Sequence, residues 1–142
     1  MYQEPTEELV KQFKSILKSR EVGFHGHNHQ QLALGNTIEA IIHDANYLDA
    51  TVYGIGRAAG NCPLELLIGF LKNPKYDIRP ILDLISKEFI PLRNKIEWGY
   101  IIPYAIAGMM NEHPRAAMAL RKSDKKENYR EFYESLVDAG ME

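Results

Sequence analysis

The segment Glu21-Val22-Gly23-Phe24-His25-Gly26-His27-Asn28 decides how this chain is read. Glu21–His25 is a short run with the length of a buried strand, and at its end His25 is separated from a second histidine, His27, by a glycine. Residues 30–45 then return to helical period, with Leu34, Thr37, Ile38, Ile41 and Ile42 on one stripe. Tyr47–Tyr53, with β-branched Thr51 and Val52 near its end, reads as a second strand. After it come Gly54-Ile55-Gly56-Arg57-Ala58-Ala59-Gly60-Asn61 and a helix through Leu64, Leu67, Ile68 and Leu71, with Pro63 placed as its first residue. Strand, helix, strand and helix joined by short connections predict parallel βα units. Upstream, residues 6–19 read as a helix that Thr6 can cap, with Glu7 and Glu8 suited to its N-terminal end.

From about residue 76 the pattern turns wholly helical, over roughly 78–90, 95–110 with a kink at Pro103, 114–122 and 125–139, where Gly140 stops the last helix. The expected organisation is therefore an α/β part over residues 1–75 and a helical C-terminal extension over 76–142. Two parallel strands leave open edges and an uncovered apolar face. More strands must come from a partner chain, a swapped dimer or a preceding portion of a longer enzyme, so association, including a homo-oligomer, is expected.

The totals set outer bounds. A chain of 142 residues, 45% hydrophobic and 25% charged, suits one globular domain. A net charge of −2 gives no electrostatic reason to expect nucleic acid or an anionic membrane as partner. No apolar run approaches the roughly 20 residues that cross a bilayer, and the first residues carry no secretory pattern. The single cysteine, Cys62, excludes an internal disulfide and fits a reducing compartment, so the expected location is cytoplasmic.

Chemistry concentrates at the predicted strand ends. Side chains at i and i+2 of a strand share a face, so His25 and His27 can reach one cation, and neutral imidazole is a common ligand for divalent transition metals. A His-x-His pair alone reads more readily as two solvated or hydrogen-bonded loop histidines. Its position at the C-terminal end of a strand, where α/β proteins keep their functional groups, favours the metal. Asn61, just ahead of a helix, can offer its oxygen to helix amides or to a metal. Arg57 can pair with a substrate carboxylate. His29 is a further candidate contact beyond the strand end, but it reads more readily as a surface or helix-start histidine. His113 precedes a proline and reads as a helix-boundary residue rather than a general base. His43 falls on the polar side of a helix.

Taken in order, His25-Gly26-His27-Asn28, Leu34-Gly35-Asn36-Thr37 and Asp49-Ala50-Thr51-Val52-Tyr53-Gly54-Ile55-Gly56-Arg57-Ala58-Ala59-Gly60-Asn61 resemble the HMG-CoA-lyase-like family of TIM-barrel metalloenzymes. That family includes 4-hydroxy-2-oxovalerate aldolases and the isopropylmalate and homocitrate synthases. The likeness runs over roughly residues 5–72. The tail, with Trp98-Gly99-Tyr100 and His113-Pro114-Arg115, resembles the aldolase branch. The resemblance implies that the two strands are the seventh and eighth of a (β/α)8 barrel, making the chain the C-terminal portion of that barrel followed by a helical extension. It implies a divalent ion, manganese or magnesium before zinc, held by His25 and His27 with Asn61 binding or beside it. The family's arginine and aspartate of the first barrel strand have no counterpart here, so Met1 can be an internal methionine of a longer enzyme.

The implied activity is cleavage of a 4-hydroxy-2-oxo acid or similar oxo-acid substrate through an enolate. Acetyl-CoA-dependent condensation of the synthase type is the alternative within the family. Two other readings remain: a catalytically incomplete truncated product, and a partner-docking module. For the latter, apolar tail residues such as Trp98, Tyr100, Tyr104 and Met109 either pack on the chain's own barrel or dock a dehydrogenase.

Overall fold

The structure is a computed structural model, and it describes residues 3–18 and 20–139. Its element order is α1 (Gln3–Ile16), β1 (Gly23–His25), α2 (Ala33–Ile42), β2 (Tyr47–Asp49), α3 (Leu64–Leu71), α4 (Arg79–Leu84), α5 (Ile90–Leu92), α6 (Ile102–Met109), α7 (Arg115–Arg121) and α8 (Tyr129–Ala139). The expected stop at Gly140 lies outside the described residues. β1 and β2 pair in parallel, with Gly23 opposite Tyr47, Phe24 opposite Leu48 and His25 opposite Asp49. The connection between them is α2, as a parallel pair requires. The architecture is thus α/β, with two βα units of the kind that builds a (β/α)8 barrel, followed by helices.

Several elements differ from the sequence expectation, each for a local reason. Helix α1 starts at Gln3, which puts Thr6 inside it and fully buried rather than at its cap. β2 ends at Asp49, not Tyr53, because Tyr53 and Gly54 take left-handed φ values of 54° and 61° and turn the chain into a 3-10 turn over Val52–Gly54. Pro63 is the residue before α3, with extended backbone, rather than its first residue. Pro103 does not kink a helix over 95–110. Residues 94–101 are not α-helical, and Pro103 lies in the first turn of α6, where its missing N–H costs nothing. Between α4 and α5 the helix widens into a π turn over Ile85–Phe89.

Two apolar clusters organise the interior. One joins Ala33 of α2, Cys62 and Leu67 of α3, beneath the sheet ends. The other joins Ala58 and Ala59 of the loop after β2 to Tyr104, Ile106 and Ala107 of α6, Ala117 of α7 and Phe132 of α8. The helical extension therefore shares a core with the glycine-rich loop rather than forming one of its own. Tyr100 and Met109 stay exposed, whereas Trp98 is 1% exposed.

Candidate metal centre

Both histidines emerge where β1 ends. Gly26 between them is buried, and its carbonyl accepts the Cys62 N–H at 3.2 Å. The loop after β2 thus crosses back over the end of β1. A second bond, Asn28 N–H to the Gly60 carbonyl at 3.0 Å, and an antiparallel bridge between His27 and Asn61 complete the crossing. The His25 and His27 ring centroids lie 4.8 Å apart at 81°. The two rings thus lie side by side at the strand end.

His25 Nδ1 lies 2.8 Å from Asp49 Oδ2. With Nδ1–H donated to that carboxylate, Nε2 keeps its lone pair for a ligand, and the ring is fixed in orientation. Asp49 was not singled out from the sequence. The signal was available in the parallel register, which sets the last residue of β2 opposite the last residue of β1.

Asn61 does not cap α3, which has no side-chain cap. Its Nδ2 donates instead to the Ile55 carbonyl at 3.1 Å, leaving Oδ1 buried and without a hydrogen-bond partner. Gly56 packs directly beneath the amide, where a Cβ would lie 2.6 Å from Nδ2. An unsatisfied buried acceptor costs about 1–3 kcal/mol. With its nitrogen pinned, the amide keeps an oxygen that a cation can engage. Two imidazoles and an amide oxygen form a mixed N/O donor set that suits a borderline divalent ion, so the residues present fit the implied metal.

A pocket of about 180 Å³ opens beside the pair, lined by Phe24, His25, His27, His29 and Gln30 among others. His29 faces the Tyr104 ring at 6.2 Å, and its Nε2 is buried without a partner. Burial first, and the neighbouring His27 charge second, hold its imidazole below the ordinary value. Arg57 is exposed on the loop, close enough for its charge to be felt at His29 and Tyr104. His113 is exposed, and its Nδ1 accepts the Arg115 N–H at the start of α7, which is a helix-boundary role. Burial raises the Cys62 thiol above its usual value.

Another group of ligand-type side chains, Glu7, Glu39 and His43, lies between α1 and α2. His43 Nε2 sits 3.0 Å from Glu39 and 3.7 Å from Glu7, and Lys11 is bonded to Glu7. These contacts tie the two helices together.

The HMGL-like family model matches residues 2–87. The chain belongs to the HMGL-like family. It is 42% identical over 108 residues to a 4-hydroxy-2-oxovalerate aldolase from Thermus thermophilus, covering 68% of this chain and 31% of that protein. It is 51% identical over 107 residues to an oxaloacetate decarboxylase from Mycobacterium tuberculosis, with the same two coverages. A crystal structure of the N-terminal domain of a Bacteroides vulgatus protein assigned as an aldolase superposes with a TM-score of 0.68 at 34% identity, covering 82% of this chain and 41% of that one. The chain spans about a third of the length of these curated relatives. The described residues contain no helix long and apolar enough to cross a membrane.

Proposed function

We propose that this HMGL-like chain carries the metal-binding part of a divalent-metal-dependent carbon–carbon lyase that cleaves a 2-oxo acid. The observation that carries the reading is the buried, unpartnered Asn61 oxygen on a loop stitched to His27. The two relatives narrow the substrate class. A 4-hydroxy-2-oxo acid and oxaloacetate both break between C3 and C4, and both leave the enolate of pyruvate. We favour the 4-hydroxy-2-oxo acid, because the tail resembles the aldolase branch. Manganese or magnesium is the proposed ion, ahead of zinc.

Such an ion, when bound, supplies the Lewis acidity that stabilises enolate charge. His25 and His27 bind it through ring nitrogens, with Asp49 holding His25 in the tautomer that leaves Nε2 available. Asn61 contributes its oxygen, and Ile55 keeps the amide from flipping. Arg57 offers a guanidinium to the substrate carboxylate. The two βα units described do not include the first-strand arginine and aspartate that the family resemblance implies, so this chain by itself is proposed to bind a cation without turnover. The barrel as a whole is proposed to act in the cytoplasm as a homo-oligomer, with a dehydrogenase as a candidate partner.

Calorimetric titration of the chain with MnCl2 should show one site, abolished in His27→Ala. Pyruvate release from 4-hydroxy-2-oxovalerate should depend on manganese once the complementary strands are supplied on the same or a second polypeptide. Acetyl-CoA consumption without pyruvate release would instead establish the synthase alternative.

A further inference from the structure

We infer that Trp98, locked by Arg93, is a positioning residue that sets the Asn61-bearing loop from the helical extension. This rests on the reading of Asn61 as a metal contact. The loop after β2 turns through two consecutive left-handed residues, Tyr53 and Gly54, and returns through two more, Ala58 at φ 60° and Gly60 at φ 78°. Left-handed backbone at a tyrosine persists only where the surroundings over-determine it. Trp98 does so directly: its Nε1–H donates to the Tyr53 carbonyl at 2.9 Å. The indole edge also lies beneath Gly60, where a Cβ would sit 3.6 Å from Cδ1. One side chain, 1% exposed, thus touches both ends of the loop whose next residue is Asn61.

Arg93 holds that side chain in turn. Its guanidinium carbon lies 5.3 Å from the Tyr53 ring centre and 5.4 Å from that of Trp98. Nη2 donates to the Trp98 carbonyl at 3.0 Å and Nη1 to the Tyr53 hydroxyl at 3.3 Å. The Tyr53 and Trp98 rings meet edge to face at 6.0 Å, and Phe89 closes the far side of the indole at 6.4 Å. The planar, forked guanidinium suits this double stacking and double donation, and a lysine does not reproduce it. Trp98 and Arg93 lie 37 and 32 residues after Asn61 in sequence, so their effect on the site is tertiary.

The test is Trp98→Phe, which keeps a ring but removes the N–H, alongside Arg93→Lys, which keeps the charge but loses the fork. Two readouts are required in each. Mn2+ affinity, measured by calorimetry, should fall by about tenfold. In metal-free protein, amide exchange at Gly60 and Asn61 should accelerate while that of α8 is unchanged. A purely structural Trp98 would lower the melting temperature, speed exchange throughout the extension and leave Mn2+ affinity within about twofold; that result overturns the inference. Should Trp98→Phe fail to fold, Arg93→Lys decides alone by the same two readouts. His27→Ala separates the two levels. If it leaves Mn2+ binding intact, the metal reading itself falls. If it abolishes binding while both tail variants bind normally, only the positioning role falls.

Discussion

Gly60→Ala is the substitution on which the description of the site can be most sharply tested. Gly60 has φ 78°, and a methyl group there would lie 2.1 Å from the Gly54 carbonyl oxygen. That atom is backbone, so no rotamer change relieves the contact, and the loop must open by nearly an ångström to reach the 3.0 Å limit of real contacts. Opening it breaks the Asn61 N–H to Gly54 bond of 3.1 Å and strains the Asn28 N–H to Gly60 bond of 3.0 Å. A left-handed alanine costs about 1–2 kcal/mol, and each lost hydrogen bond about 0.5–1.5 kcal/mol. The variant should therefore lose roughly 2–5 kcal/mol, a large share of the ~5–15 kcal/mol typical of a domain. Gly69→Ala is the internal control. Gly69 lies in α3 with nothing within 4 Å of a built Cβ, so alanine there should stabilise by up to about 1 kcal/mol. Urea denaturation followed by fluorescence of Trp98, the single tryptophan, reads both variants, and Mn2+ titration reads the site. Equal stability of the two variants, with equal Mn2+ affinity, would refute the rigid-loop reasoning.

Asp49→Asn should weaken Mn2+ binding by about 10–100-fold through loss of the His25 orientation. Its melting temperature should barely move, since the pair is exposed at 43% and 64%; unchanged affinity would remove Asp49 from the site. Saturating Mn2+ at about 100 times its dissociation constant should stabilise the chain by about 2.7 kcal/mol. EDTA should reverse the shift, and a His25→Ala, His27→Ala double variant that still gains it would place the ion elsewhere. Lys11 holds the Glu7 carboxyl below its ordinary value, chiefly through their hydrogen bond. A depressed folded value contributes stability at neutral pH that is lost as pH falls through it. Lys11→Ala should accordingly flatten the acid side of a melting temperature against pH profile, and a profile identical to the parent's would show that this ion pair does not matter.

The centre of the fold was legible because its signals are local. His25-Gly26-His27 needed only the two-residue period of a strand, and α2 and α3 needed only helical spacing and their flanking residues. What was not legible depends on backbone handedness or on distant partners. Thr51 and Val52 have strand propensity, yet the left-handed Tyr53 ends β2 early, and Trp98, which pins Tyr53, lies 45 residues further on. The kink expected at Pro103 required residues 95–101 to be helical. They instead place Trp98 against the loop. Asn61 kept two roles open in the sequence, since an asparagine ahead of a helix is a good cap. The Ile55 carbonyl removes the cap by taking the amide.

The two-stranded sheet is too small to hold this site in place, and it does not have to. Two backbone hydrogen bonds, from Cys62 to Gly26 and from Asn28 to Gly60, lie beyond the strand ends and bind the two loops to each other, and a third, from Asn61 to Gly54, closes the second loop on itself. The sheet pairs three residues on each side, so the loops carry as much of the register between the two βα units as the strands do. The core reinforces this, because Ala58 and Ala59 are anchored on α6, α7 and α8 rather than on the strands. Cation binding and turnover should therefore separate. Binding draws on contacts made within this chain, while bond cleavage in the proposed reaction requires groups from the rest of a barrel.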